Sequence, residues 1–186
     1  YELSTLGANT LLVDLDHQGN CSLALGTDPA DSVFEMFAHD APQQNVVHYS
    51  RRSNLYMIRG NSRTSTAIAM LQHERTEMCA MEETLRKVGS GFDYIVIDTH
   101  PSGLFQELAM HAADTLIMPI ALDALNLDAI QNTLALYETR RSASGKPVAS
   151  RIILPTLAQM HTNEARYSFD QLVQAYGNIV HKPVPM

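Results

Sequence analysis

The chain has 186 residues, of which 45% are hydrophobic and 18% are charged, a length and balance that favour a globular domain with a sizeable core. Its formal net charge of −7 excludes a globally basic, nucleic-acid-binding surface, although basic residues could still gather in a local patch. The two cysteines, Cys21 and Cys79, are too few for a disulfide framework and lack metal-ligand spacing, which favours a reducing, cytoplasmic setting.

Apolar strands alternate with amphipathic helices along the chain. In chain order, the predicted elements are the end of a helix (1–6), a strand (11–13), a helix (32–37), a strand (55–58), two helices (64–72 and 75–88), a strand (94–98), a helix (104–112), a strand (116–120), a helix (124–142), a strand (151–154) and a helix (163–176). Residues 38–53 are predicted to be irregular. The alternation predicts an α/β fold with a doubly wound, mostly parallel sheet and helices on both faces.

Two of the predicted strands end in acidic residues. Leu11 to Val13 run directly into Asp14 and Asp16, and residues 94–98, an apolar run typical of a strand buried on both faces, end in Asp98. Alternate residues of a strand point the same way, so Asp14 and Asp16 are expected on one face. Ligands of parallel sheets lie outside the carboxyl ends of strands. The acids therefore indicate either a site for a cation, phosphate-bound magnesium or an oriented water, or a solvated Asx turn at a strand end.

Four segments carry a resemblance to a known family. They are LLVDLDHQGN at residues 11–20, YIVIDTHPS at 94–102, AADTLIMP at 112–119 and ILPT at 153–156. In order and spacing they resemble the ParA-type partition ATPases of the ParA/MinD superfamily, in which the first three commonly read VDLDPQGN, DYIIIDCPPS and AADxxIxP. The resemblance covers nearly the whole chain. It implies a P-loop NTPase fold with a deviant Walker A motif.

The resemblance also implies an activity and partners. Members of this family hydrolyse ATP with Mg²⁺, and they form homodimers in which ATP lies between the subunits. The ATP-bound dimer binds DNA without sequence preference, and a ParB-type centromere-binding protein stimulates hydrolysis. The cycle positions plasmids or chromosome origins. The expected location is cytoplasmic and nucleoid-associated, and the sequence shows no membrane anchor, because no apolar run reaches the about 20 residues of a membrane span.

Site residues follow from the resemblance position by position. Asp16 matches the acid that orients the attacking water, and Asp14 matches its companion near magnesium. Asp98 matches the Walker B acid, which serves the metal. Pro155 and Thr156 match the strand end that approaches the adenine base.

The chain departs from the family pattern in three respects. Gln159 and His161 stand where many relatives have Asp and Arg. The chain contains no G-x-x-x-x-G-K-[ST] phosphate loop, which would be expected just before Tyr1. Residues 1–186 are therefore expected to form a single partial nucleotide-binding domain, truncated at both ends, without its first strand and inactive alone.

His17 and His100 replace the prolines of the two signature loops. In the superfamily the strands before these two loops are neighbours, so the two histidines are expected to lie close together. A structural role is favoured over a metal site, because two histidines alone are a sparse ligand set.

Two alternatives remain open at this point. One is a degenerate relative that has lost ATP hydrolysis and serves as an interaction module. The other is a MinD-like, membrane-cycling ATPase, which would need a C-terminal amphipathic helix. An intact KGGxGKT[ST] loop encoded upstream would favour the partition ATPase over the interaction module.

Overall fold

The computed structural model describes residues 2–74, 77–122, 127–143, 145 and 150–185. The chain divides into two compact units, Tyr1–Ala112 and Ala113–Met186, and each has its own sheet and its own apolar core. The predicted α/β fold with a mostly parallel sheet is confirmed. The assignment of the whole chain to one domain stays a prediction. Within the described ranges, no helix has both the length and the apolar character that a membrane span requires.

The first unit is built around a four-stranded sheet. Its elements are α1 (Glu2–Thr5), β1 (Thr10–Asp14), α2 (Asn20–Ala24), α3 (Ser32–Ala38), α4 (Gln43–Val46), β2 (Val47–Arg52), β3 (Leu55–Ile58), α5 (Thr64–His73), α6 (Ala80–Val88), β4 (Tyr94–Asp98) and α7 (Leu104–Ala112). The strand order is β2-β3-β1-β4. β1 runs parallel to both of its neighbours, and only β2 is antiparallel to its partner.

β1 is an interior strand of this sheet, and its position follows from its composition. Leu11 and Val13 are completely buried in the core cluster of the first unit, and β1 pairs with a strand on either side. A strand buried on both faces reads as a continuous apolar run, which is how residues 11–13 read. The carboxyl end of β1, at Asp14, therefore lies between the ends of two flanking parallel strands.

β4 differs from the prediction that it is buried on both faces. Tyr94, Ile95 and Val96 expose 51%, 37% and 42% of their surface. The reason is that β4 stands at the edge of the four-stranded sheet, where its described pairing is to β1 alone. An exposed apolar edge of this kind is a template for pairing with another strand.

The second unit contains two parallel strands and two long helices. Its elements are β5 (Thr115–Ala121), α8 (Leu127–Ala143), β6 (Ser150–Thr156), α9 (Asn163–Tyr176) and a 3₁₀ turn (Gly177–Ile179). β5 and β6 pair in register along their whole length. α9 begins where the Oγ1 atom of Thr162 accepts the backbone N–H of Ala165, the usual polar cap of a helix start. Met118, Ile153 and Leu172 belong to the core of this unit.

Three predicted boundaries were wrong or incomplete. Residues 38–53, predicted to be irregular, contain α4 and β2, and the loop after Asp16 contains α2. β2 was missed because it is a largely polar edge strand. Backbone hydrogen bonds to β3 hold it in the sheet, and its side chains show no apolar alternation that would mark a strand in the sequence. The helix predicted over 75–88 is α6, which begins at Ala80; residues 75 and 76 lie outside the described residues. Residues 124–126 of the helix predicted over 124–142 also lie outside them.

Candidate functional site

The acids that end β1 and β4 meet at one edge of the sheet. Asp14 and Asp98 are register partners on these adjacent parallel strands. The pairing continues one residue further, because the backbone N–H of Leu15 donates to the carbonyl oxygen of Asp98 at 2.8 Å. The carboxyl ends of parallel strands are where such folds bind ligands. The two carboxylates are therefore held at the place where the sequence predicted a site.

Asp14 is a completely buried carboxylate with an unused oxygen. Its Oδ1 atom accepts the backbone N–H of Asp16 at 3.3 Å, whereas its Oδ2 atom is buried without a hydrogen-bond partner. Burial raises the pKa of Asp14, and the charge of Asp98 raises it further, against the lowering effect of nearby backbone N–H groups, chiefly that of Asp16. Burying a carboxylate oxygen without a hydrogen-bond partner destabilises the folded state, and a bound cation would offset that destabilisation.

Cys21 joins the two aspartates from the first turn of α2. Its Sγ atom donates to Oδ2 of Asp98 at 3.2 Å. One carboxylate oxygen from each of Asp14 and Asp98 and the Sγ atom all lie within 4.8 Å of one another. Burial, followed by the hydrogen bond to Asp98, raises the pKa of the Cys21 thiol. Without a bound cation, the thiol is therefore protonated at neutral pH.

Sequence reasoning did not find Cys21 as a member of this site. The three side chains come from a strand end, a short helix and a second strand end 77 residues away from the helix. No regular spacing marks such a set, and α2 itself was not predicted. Within the part of the chain that the structure describes, no other group of three His, Cys, Asp or Glu residues brings its ligand atoms this close together.

The two carboxylates fit a magnesium ion. Mg²⁺ binds oxygen ligands and usually keeps several waters, so that one or two protein carboxylates together with substrate phosphates complete its coordination. Asp14 supplies a buried oxygen without a partner, and Asp98 is exposed, so that this side of the cluster is open. These two residues are the ones that would hold the ion.

Asp16 lies beyond the end of β1 and is not a member of the cluster. Its Oδ1 atom accepts the backbone N–H of Gln18 at 3.0 Å and lies 3.4 Å from Nδ1 of His17. Its side chain is 20% exposed. These contacts hold the carboxylate at the start of the loop after β1. That Asp16 orients a water stays a prediction.

The expected proximity of His17 and His100 is confirmed. Their ring centroids are 5.6 Å apart with an interplanar angle of 38°. Nδ1 of His100 is also 3.3 Å from the hydroxyl oxygen of Ser102. The pair is a ring contact between the two loops that follow β1 and β4.

Pro155 and Thr156 end β6 in the second unit. Pro155 is buried, and its carbonyl oxygen accepts the backbone N–H of Val184 at 2.8 Å. The chain turns immediately afterwards, where Leu157 has a φ of 52°. Their role at an adenine base stays a prediction.

Comparison with known proteins identifies a family for this chain and two similar relatives. The AAA domain family matches residues 1–145. A chromosome-partitioning ATPase, Soj, from Treponema pallidum is 29% identical over 185 residues, which cover 98% of this chain and 72% of that protein. The sporulation initiation inhibitor protein Soj from Bacillus subtilis is 25% identical over 186 residues, 98% of this chain and 74% of that protein.

A solved structure is similar over nearly the whole chain as well. It is the cobyrinic acid a,c-diamide synthase from Mycobacterium smegmatis, crystallised with a bound ATP analogue and magnesium. Its TM-score is 0.86 at 26% identity, and the match covers 98% of this chain and 77% of that one.

Proposed function

Because the chain belongs to the AAA domain family and has the fold of the ParA/MinD-type ATPases, we propose that the intact protein is a ParA-type ATPase that takes ATP and Mg²⁺. The Soj relatives, which are named for chromosome partitioning or for inhibition of sporulation, support a ParA-like role. The magnesium and ATP analogue in the similar synthase structure support the choice of cofactors.

The observation that carries the proposal is the pairing of Asp14 with Asp98. An acid at the end of a buried strand is the usual magnesium ligand of phosphate-transfer sites in P-loop proteins. Here the acid that ends the buried strand β1 is the register partner of the acid that ends β4, and Asp14, the one on β1, has a buried oxygen without a partner. A solvated strand end would not need to bury a carboxylate completely.

Each site residue then has a role. Asp14 and Asp98 hold the magnesium, whose charge, when it is bound, stabilises the negative charge that develops on the phosphates. Asp16, held by the N–H of Gln18 beside His17, orients the attacking water. Pro155 and Thr156 approach the adenine base.

The wider cycle is also part of the proposal. ATP closes a homodimer that binds DNA without sequence preference, and a ParB-type partner stimulates hydrolysis. The protein then acts in the cytoplasm, at the nucleoid, in plasmid or chromosome partition. Residues 1–186 serve this cycle as part of one nucleotide-binding domain.

The experiment uses the full-length gene product that contains these residues. We expect magnesium-dependent phosphate release from ATP, and ATP-dependent retention of the protein on DNA of unrelated sequences. Asp98→Asn should abolish the magnesium-dependent release of phosphate, whereas Asp28→Asn, at an exposed position outside the site, should leave this release unchanged. Residues 1–186 expressed alone should bind ATP weakly or not at all, since they contain no phosphate loop.

Each result separates the proposal from its alternatives. A folded full-length protein without magnesium-dependent hydrolysis would contradict the ATPase and favour an interaction module. ATP-dependent binding to lipid vesicles in place of DNA would favour the MinD-like alternative.

A further inference from the structure

We propose that Asp14, Cys21 and Asp98 form a binding site for a thiophilic divalent cation of the Zn²⁺ or Co²⁺ type, in which Cys21 supplies a sulfur ligand. Magnesium explains the two aspartates, for which the two ions would compete, but it does not explain the sulfur of Cys21, which α2 brings within 4.8 Å of their ligand oxygens. The inference rests on the arrangement of these three side chains and not on ATP hydrolysis.

The distances suit a shared ion. Zinc–sulfur bonds of about 2.3 Å and zinc–oxygen bonds of about 2.1 Å place two ligands of one tetrahedral ion about 3.6 Å apart. The Sγ atom of Cys21 and Oδ2 of Asp98 are 3.2 Å apart, and the ligand atoms of all three residues lie within 4.8 Å of one another. Small side-chain rotations would therefore bring all three onto one ion.

Asp14 supplies an independent indication that a ligand belongs here. Its side chain is completely buried, and its Oδ2 atom has no hydrogen-bond partner. The backbone N–H of Asp16 donates to Oδ1, and the N–H groups of Ser22 and Cys21, which also face this carboxylate, do not meet hydrogen-bond geometry at Oδ2. Buried polar atoms in folded proteins are nearly always paired, so an orphaned carboxylate oxygen within a cluster of cation ligands indicates a binding site for a cation.

The sulfur decides the class of ion. Mg²⁺ prefers oxygen ligands, whereas thiolates select zinc-like ions. On binding, the S–H bond of Cys21 breaks, its proton leaves to solvent, and a metal–sulfur bond forms without any change of oxidation state. Asp98 is exposed and Cys21 is partly exposed, which leaves an entry path, and solvent water can complete the coordination.

The test is a Co²⁺ titration of the full-length gene product, without nucleotide, in a Cys79→Ser background. Cys79 is removed because its thiol lies near Glu77 and could bind metal separately. We expect a sulfur-to-cobalt charge-transfer absorption that saturates at one Co²⁺ for each Cys21. Zn²⁺ should displace it, and the same concentration of Mg²⁺ should not. Asp98→Asn should weaken Co²⁺ binding by roughly tenfold or more.

The matched variant is Cys21→Ser in the same background, with its fold checked by circular dichroism. The difference spectrum between parent and variant should contain the charge-transfer band. Absence of the band from the parent, or an unchanged band in Cys21→Ser, would overturn the proposal.

Alkylation read by mass spectrometry gives a second measurement on the unmutated site. Zn²⁺ should slow modification of Cys21 and Mg²⁺ should not, and equal rates with and without Zn²⁺ would count against the site. Because neither readout involves hydrolysis, a protein without ATPase activity that binds Co²⁺ through Cys21 would refute the proposed function alone.

Discussion

Gly60 lies so close to Asp14 that a Cβ atom at position 60 would stand 2.3 Å from the carbonyl oxygen of Asp14. The same Cβ would be 2.9 Å from the carbonyl oxygen of Asp16. Both neighbours are backbone atoms, which cannot move aside as a flexible side chain can. The absence of a side chain at residue 60 therefore allows the chain after β3 to pack against the loop that carries the two acids.

Gly60→Ala should consequently disturb the end of β1. We expect the free energy of unfolding to fall by about 1–3 kcal/mol, the usual range for a side chain forced into a packed region. Urea denaturation measures the change, and Ser62→Ala, at an exposed neighbouring position, is the matched control with an expected effect within about 0.5 kcal/mol. Equal stability of the two variants would show that the loop adapts to the added methyl group.

Asp16→Ala in the full-length gene product should slow ATP hydrolysis while leaving ATP binding largely intact. A group that positions water acts mainly in the transition state, and we expect a loss of roughly 10²-fold in turnover. Phosphate release measures turnover, and calorimetric titration measures binding. Asp28→Asn is the control at an exposed position. Unchanged turnover in a folded Asp16→Ala protein would remove Asp16 from the mechanism.

Asp14 should make stability depend on pH, in a direction set by its raised pKa. A carboxyl whose pKa is raised by folding binds its proton more tightly in the folded state. Its contribution to stability is complete below the pKa of the unfolded chain and is lost as the pH rises through the folded pKa. Asp14→Asn removes this loss. Its free energy of unfolding should therefore increase relative to the parent as the pH rises from about 3.5 to 7.

The measurement is urea denaturation across this pH range with divalent cations chelated, because a bound cation would offset the buried charge. A difference between Asp14→Asn and the parent that does not vary with pH would contradict the assigned cause.

Asp31 should have the opposite pH dependence. Asn61 donates to its Oδ1 atom at 2.6 Å, and Arg63, which also lies over the ring of Phe34, donates to Oδ2. The hydrogen bond from Asn61 and then that from Arg63 lower the pKa of Asp31. Its contribution is therefore present above the pKa of the unfolded chain and is lost as the pH falls through the folded pKa.

Asp31→Ala should lower the free energy of unfolding at pH 7 by about 0.5–1 kcal/mol, a modest effect because the ion pair is partly exposed. The difference from the parent should shrink in acid. Asp28→Ala, which removes an exposed carboxylate nearby in the sequence, should have a smaller effect at both pH values. A loss that is the same in acid and at neutral pH would point to packing and not to the charge of Asp31.

The local features of the site could be predicted from the sequence alone. Apolar runs ending in Asp14 and Asp98 predicted strands with acids at their carboxyl ends, because the apolar run and the residue that ends it belong to one continuous segment of the sequence. The alternation of such strands with amphipathic helices predicted the parallel sheet, since consecutive parallel strands need a crossover between them. The proximity of His17 and His100 was expected as well, but it required the resemblance to a family whose strands are neighbours.

Only the tertiary structure decided which distant residues share the site. Cys21 reaches Asp98 because a short helix starts directly after the loop beyond β1, and neither residue carries a local signal of the other. The contact of Gly60 with Asp14 likewise depends on the chain that follows β3 returning to the end of β1. β2 exists because β3 offers its backbone an antiparallel partner, while the polar side chains of β2 show no pattern of burial. Such contacts form when folding brings separate segments together, and their energies depend on distances that no single segment encodes.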